Sequence, residues 1–295
     1  MRPELQAIAT RNGGVFTRRD AVRCGYIERQ LKTATGHHGG WVVVRRGCYA
    51  ERDLWARLDE DTRYLLRVRA AVLIQQRDAL VSHGSAAVGL GLPMRPRWRE
   101  LVHVTRPGVT GSRTENGVKH HRAGYDEHDV TVVDGIASTG LARTAVDIGR
   151  EHGYTDGVVA CDAALRLGAT RGELERALER MTFWPHVTGV RAAVRIADGG
   201  AQTVGESLLR IMVIELDIGP PETQYVVREG PRRAVVDLRV GRHFLEFDGR
   251  IKYVDREHGG VADRPVSDVL WDEKRREDWL RRVGGGHGMS RVVWE

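Results

Sequence analysis

The stretch AVVDLRVGRHFLEFDGRIK, residues 234–252, decides how the C-terminal part of this chain folds, because it sets carboxylates inside apolar strand patterns. Asp237 stands between Val235-Val236 and Leu238, and Glu246 between Leu245 and Phe247, with Asp248 next. At a strand period of two, Phe244, Glu246 and Asp248 share one face and Leu245 and Phe247 the other. A two-residue turn at Gly241-Arg242 pairs Val240 with His243, Arg239 with Phe244, Leu238 with Leu245 and, one step on, Asp237 with Glu246. Directly opposed residues share a face, so Asp237, Glu246 and Asp248 are expected to converge.

Ionised carboxylates in strand centres cost several kcal/mol unless a partner compensates them, and neighbouring like charges add to that cost. A divalent cation removes both penalties, and Mg²⁺ suits a set of hard oxygen donors. The competing reading is an edge hairpin that turns these acids to solvent.

Working outward, Gly199-Gly200 after Asp198 reads as a linker, and Thr203-Val204-Gly205-Glu206 opens a helix. Glu206 also fits the third position of a capping box with Thr203. Beyond that helix the patterns predict strands at 224–228, 234–240 and 243–248, a helix at 266–283 and a strand at 290–294. That order, with FLEFDGRIKY and WDEKRREDWLRRVG, resembles the PD-(D/E)XK nuclease core, in the branch related to very-short-patch-repair endonucleases. The resemblance implies an α/β restriction-endonuclease-like domain over 199–295, with Glu206, Asp237 and Glu246 holding Mg²⁺ and Gln224 at the edge of the site. It implies a catalytic set of Asp237, Glu246, Asp248 and Lys252. Where the family places lysine two residues after the acid, this chain has Asp248, and the nearest lysine is Lys252. Either Lys252 substitutes, or the domain binds DNA without cutting it.

The other end of the chain is basic. Residues 1–50 hold nine Lys/Arg against three Asp/Glu, which equals the whole formal excess of +6. Three short helical patterns, the second capped by Thr17, are followed by a hairpin, WVVV-RRG-CYA, and together they predict a winged helix-turn-helix over residues 1–52. Such a unit sets its third helix in the major groove of duplex DNA and its wing beside the backbone. The expected DNA-binding side chains are Arg29, Gln30 and Lys32 on that helix, Arg45 and Arg46 on the wing, and Arg18, Arg19 and Arg23 toward phosphates.

NGGVFTRRDAVRCGY followed by GGWVVVRRGCYA resembles the N-terminal winged helix of AbiEi-family antitoxins of type IV toxin–antitoxin systems. SHGSAAVGLGLP and GIASTGLARTAVDIGR resemble the second part of those proteins, so a mainly helical, AbiEi-like middle domain is expected over 53–198. The resemblance implies a regulatory role there, with a cognate toxin or another protein as partner.

Within the middle segment Ser82, His83, Ser85, His120 and His121 suggest a nucleophile or metal ligands, but no carboxylate stands at a matching spacing, and a structural role is expected. Arg143 and Asp147 read as an ordinary i, i+4 helix pair. Cys24, Cys48 and Cys161 have neither metal-site spacing nor an even count for disulfides, which fits a reducing cytoplasm. No signal pattern and no apolar run near membrane-spanning length is present. The fold class expected is therefore multidomain α+β, with residues 53–295 able to fold without the winged helix.

Overall fold

The structure, a computed structural model, describes residues 1–75, 79–108, 111–248 and 266–293. The described residues are mixed α and β and form three sheets. Lys252 lies outside the described residues.

The first unit contains α1 (Pro3–Arg11), β1 (Val15–Thr17), α2 (Arg18–Arg23), α3 (Glu28–Thr35), β2 (Trp41–Arg45) and β3 (Cys48–Glu51). Thr17 starts α2 as a capping box: its Oγ1 accepts from the Asp20 N–H, and Asp20 accepts from the Thr17 N–H at 2.9 Å. The strands form an antiparallel sheet in the order β1-β3-β2. Leu5, Phe16, Leu31, Trp41 and Tyr49 close the space between this sheet and the helices.

The middle segment runs α4 (Arg52–Arg57), α5 (Glu60–Ile74), β4 (Leu80–Val81), α6 (His83–Leu90), β5 (Val102–Thr105), β6 (Arg113–Glu115), β7 (Val118–His121), β8 (Val130–Val133) and β9 (Ile136–Thr139). Four helices follow: α7 (Leu141–His152), α8 (Tyr154–Arg166), α9 (Arg171–Glu179) and α10 (Val187–Ile196). The six strands form one sheet ordered β6-β7-β5-β4-β9-β8. Helices α7 and α8 touch backbone to backbone, since a Cβ on Gly149 would stand 2.9 Å from the Gly157 Cα.

Helix α5 is buried on two sides rather than along one stripe. Tyr64, Val68 and Ala71 face the middle core, whereas Leu66 and Ala70 pack against Val15, Cys48 and Ala50 of the first sheet. Arg143 and Asp147 do pair, but not as an exposed helix pair. Both side chains are buried, and Arg143 also holds Asp129 at 2.8 Å and the Gly124 carbonyl.

The last segment contains α11 (Val204–Glu215), β10 (Pro221–Glu229), β11 (Arg232–Val240), β12 (His243–Asp248), α12 (Val266–Arg282) and β13 (Gly288–Val293). Its sheet runs β10-β11-β12-β13, with antiparallel pairs first and a parallel β12–β13 pair last. Leu209 and Val213 of α11 cover Leu238 and Leu245. On the other side, Trp279 and Leu280 of α12 cover Phe244 and Val236. Among the described residues no helix is long and apolar enough to cross a membrane, and the three cysteines are free.

Candidate functional site

The β11–β12 hairpin has the register its sequence predicts: Val240 pairs with His243, Arg239 with Phe244 and Leu238 with Leu245. The ladder then stops. Continued one residue, the two registers set Gln224, Asp237 and Glu246 in one row across β10, β11 and β12, yet none of them is a ladder partner of the next. Gln224 adopts a left-handed φ of +50°, which a residue with a side chain seldom takes, and this removes it from the regular pairing. Asp237 turns its carboxylate to the Phe247 N–H at 2.8 Å instead. At the row that carries the acids the β11–β12 pairing therefore ends and the β10–β11 pairing skips one position.

Helix α11 brings Glu206 to the same place. Its carboxylate accepts from the Gln202 N–H at 2.8 Å, the Thr203 hydroxyl at 3.1 Å and the Gln224 amide at 3.1 Å. Thr203 caps α11 by accepting from the Glu206 N–H, but the Glu206 carboxylate takes the Gln202 N–H rather than the Thr203 N–H, so the capping box read from sequence is not completed. Glu246 meets Arg276 of α12 at 2.6 Å, and Asp248, on the same strand face, lies 3.4 Å from Arg291 of β13. Arg276 also donates to the Val235 carbonyl, which fixes α12 across the hairpin. Arg291 stands opposite Glu246 in the parallel pair and reaches Glu273 at 3.0 Å.

Burial pushes the Glu206 carboxyl above the ordinary carboxylate range, with the Asp237 charge adding to the shift. Burial raises Glu246 as well; Arg276 opposes that shift and Asp237 reinforces it. Asp237 is thus the acid that both others sense. The donor set is all oxygen and matches Mg²⁺ in chemistry. Its oxygens are not drawn together, however: among the described residues, the three-residue group whose ligand atoms lie within 4.8 Å of one another is His83, His103 and His121. Guanidinium groups already compensate Glu246 and Asp248, so a cation that uses Glu246 must take it from Arg276.

No family model matches the chain. Two uncharacterized proteins of Mycobacterium tuberculosis, from strains CDC 1551 / Oshkosh and ATCC 25618 / H37Rv, are each 29% identical to it over 204 residues. The match covers 68% of this chain and 70% of each relative.

A second concentration of charge lies on the first unit. Arg19, Arg23, Arg29, Lys32 and Arg46 are exposed on α2, α3 and the wing. Arg18 is exposed too but is bonded to Glu28, and Gln30 accepts from the Ile27 N–H at 3.1 Å as a cap of α3. Arg45 leans inward, with a 3.3 Å bond to the Asn116 carbonyl, and lines a groove with Arg46, Arg67 and Arg99. Arg67 and Arg99 are not legible as wing neighbours in the sequence, because α5 and the turn before β5 meet the wing only in the folded chain. If this surface binds DNA, Arg45→Ala/Arg46→Ala should weaken binding to every sequence and flatten log affinity against log salt by about one unit for each phosphate that is no longer neutralised. A salt titration by fluorescence anisotropy checks this; an unchanged slope and affinity remove the wing from the interface.

Arg276 and Arg291 are likewise hard to pick out as site residues from sequence. The faint signals are the spacing of Glu273, Arg276 and Glu277 on one helix face and the position of Arg291 in the last strand.

Proposed function

We propose that this chain is a DNA-binding protein in which the winged helix engages duplex DNA and the C-terminal domain is a Mg²⁺-dependent endonuclease-like unit. The observation that carries this reading is the row of Gln224, Asp237 and Glu246, where the β11–β12 ladder ends and the β10–β11 ladder skips one position, with Glu206 beside it. The αβββαβ order of the last segment supports it, as does its resemblance to the PD-(D/E)XK core. Glu206, Asp237 and Glu246 are the residues that would hold Mg²⁺, which when bound activates water and offsets charge building on the scissile phosphate. Gln224 orients Glu206, and the Phe247 N–H fixes Asp237. Arg276, half-exposed beside Glu246, provides a cation next to the acids among the described residues. The resemblance of the first two segments to AbiEi antitoxins suggests a toxin–antitoxin or phage-defence setting.

Two observations favour a second reading, a non-enzymatic AbiEi-type antitoxin and transcriptional autoregulator with a vestigial nuclease fold. Glu246 is closed by Arg276 at 2.6 Å, and Asp248 occupies the position where the family carries lysine.

Titration with Mg²⁺ and Mn²⁺, followed by incubation with plasmid and oligonucleotide DNA, separates the two readings. Under the first, wild-type protein melts at a higher temperature as metal is added, because a ligand that binds only the folded state stabilises it. Glu246→Gln preserves the shape and should abolish both the metal-dependent shift and cleavage, while DNA binding through the wing persists. Protons should compete with the cation from a higher pH than at exposed acids, since Glu206 and Glu246 sit above the ordinary range. The metal-dependent shift should therefore decline as pH falls through those raised values. Wild-type protein with neither shift nor cleavage leaves the regulator reading standing.

A further inference from the structure

We propose that the middle segment carries a buried site for one divalent transition-metal ion, zinc above all, held by His83, His103 and His121. These three come from α6, β5 and β7, and their ligand nitrogens all lie within 4.8 Å of one another. The topology makes the cluster. His103 pairs with Lys119 in the parallel β5–β7 ladder, so His121, two residues further along β7, projects on the same side as His103. His83 reaches them from the start of α6, which Ser82 joins to β4.

The three imidazoles are gathered but stacked, with His83 and His121 within 14° and His103 and His121 within 14° of parallel, so their lone pairs do not yet converge. His103 Nδ1 and His121 Nε2 are 2.9 Å apart, and the His83 and His121 rings stack with centroids 3.8 Å apart. Two nitrogens bound at about 2.05 Å to a tetrahedral ion stand about 3.3 Å apart, so the ion would replace the proton shared by His103 and His121, with the stacked His83 and His121 rings turning until their lone pairs meet it. His83 Nδ1 lies 2.9 Å from Ser82 Oγ, which also accepts from the Thr105 hydroxyl at 2.8 Å. With Nδ1–H donating to Ser82, the His83 Nε2 lone pair is left for a metal, the arrangement that orients liganding imidazoles.

Two further observations point to a ligand. His83 holds a left-handed φ of +53°, a conformation that costs a residue with a side chain and is retained where its surroundings enforce it. His152, whose ring centroid is 6.4 Å from that of His103, keeps a buried Nε2 with no hydrogen-bond partner. It is a further imidazole for a fourth position, which water fills otherwise. The chemistry selects the ion. All three residues are at most 8% exposed, a setting that disfavours the charged imidazolium. Neutral imidazole is the ligating form, and a nitrogen-only set suits zinc, cobalt or nickel while offering nothing to Mg²⁺.

The test uses the full chain, freed of any tag and stripped with a chelator, titrated with Zn²⁺ against a chromophoric competitor and separately with Co²⁺. One equivalent of tight binding, with the intense visible bands of tetrahedral Co²⁺, is expected in wild type and unchanged in Glu246→Gln, which sets this site apart from the acidic row. His121→Ala should lose the stoichiometric equivalent, and Ser82→Ala should weaken binding by about tenfold. If His121→Ala fails to fold, wild type and Ser82→Ala decide the matter. Folded wild-type protein that takes up neither ion stoichiometrically overturns the proposal, as does a folded His121→Ala that binds as wild type does.

Discussion

Arg210→Ala is expected to destabilise the protein by about 3–5 kcal/mol, the cost of leaving one member of a buried ion pair alone. Asp162 of α8 is fully buried and accepts two bonds from Arg210 Nη2, at 2.7 and 2.8 Å. Arg210 Nη1 donates to the Ile196 carbonyl at 2.6 Å, and Asp162 also accepts from the Asp198 N–H at 2.7 Å. This network ties α11 to α8 and to the turn after α10. Arg210 lies one helical turn from Glu206, so its loss should also displace Glu206 from Gln224.

Even with Arg210 present, burial pushes the Asp162 carboxyl above the ordinary carboxylate range. Without the guanidinium it should rise further. A carboxyl whose folded value exceeds its unfolded value binds more protons folded than unfolded between the two, so stability there increases as pH falls. The deficit of Arg210→Ala is therefore greatest at neutral pH and shrinks on acidification through the raised Asp162 value. Urea unfolding at neutral and mildly acidic pH measures it. A deficit below about 1 kcal/mol, independent of pH, would match an exposed pair instead. Asp162→Asn/Arg210→Met should recover much of the loss, because it removes both charges together.

Deletion of residues 1–52 is expected to yield an associating fragment rather than a well-behaved domain. The β1–β3 sheet covers Leu66 and Ala70, which are 3% and 0% exposed, with Trp55, Leu58 and Ile74 packed around them. Fully burying a leucine is worth about 1.5–3 kcal/mol, and the deletion uncovers Leu66 along with its apolar neighbours. A fragment beginning at Asp53 should elute as oligomers in light-scattering chromatography and unfold less cooperatively. Leu66→Glu in the fragment should restore a monomer, since a charge on the uncovered face opposes association. A fragment that is monomeric without that change would show that the winged helix is an independent appendage, as the sequence suggests.

Particular residues show how far local pattern reaches. The hairpin register is legible because Gly241-Arg242 sets a two-residue turn and a slip by one would turn every apolar residue to the wrong face. The helix cap at Thr17 is legible because its bonds with Asp20 are completed within four residues. Convergence of the acids follows from an ideal ladder. The chain departs from it at Gln224 and Asp237, where strand pairing gives way and arginines from α12 and β13 take up the carboxylates.

The sequence by itself determined the multidomain α+β class, the basic first unit, the element order of the last segment and the placing of carboxylates in its central strands. All of these rest on contacts between near neighbours or on a period of two or 3.6, which a linear pattern records. Only the tertiary structure decided that α5 is buried on two sides, that Asp162 and Arg210 join α8 to α11 across 48 residues, and that His83, His103 and His121 meet. Each of these depends on which surfaces of distant elements face one another. That choice follows from the burial of whole helix and sheet faces, so it leaves no short-range mark around any of the residues involved.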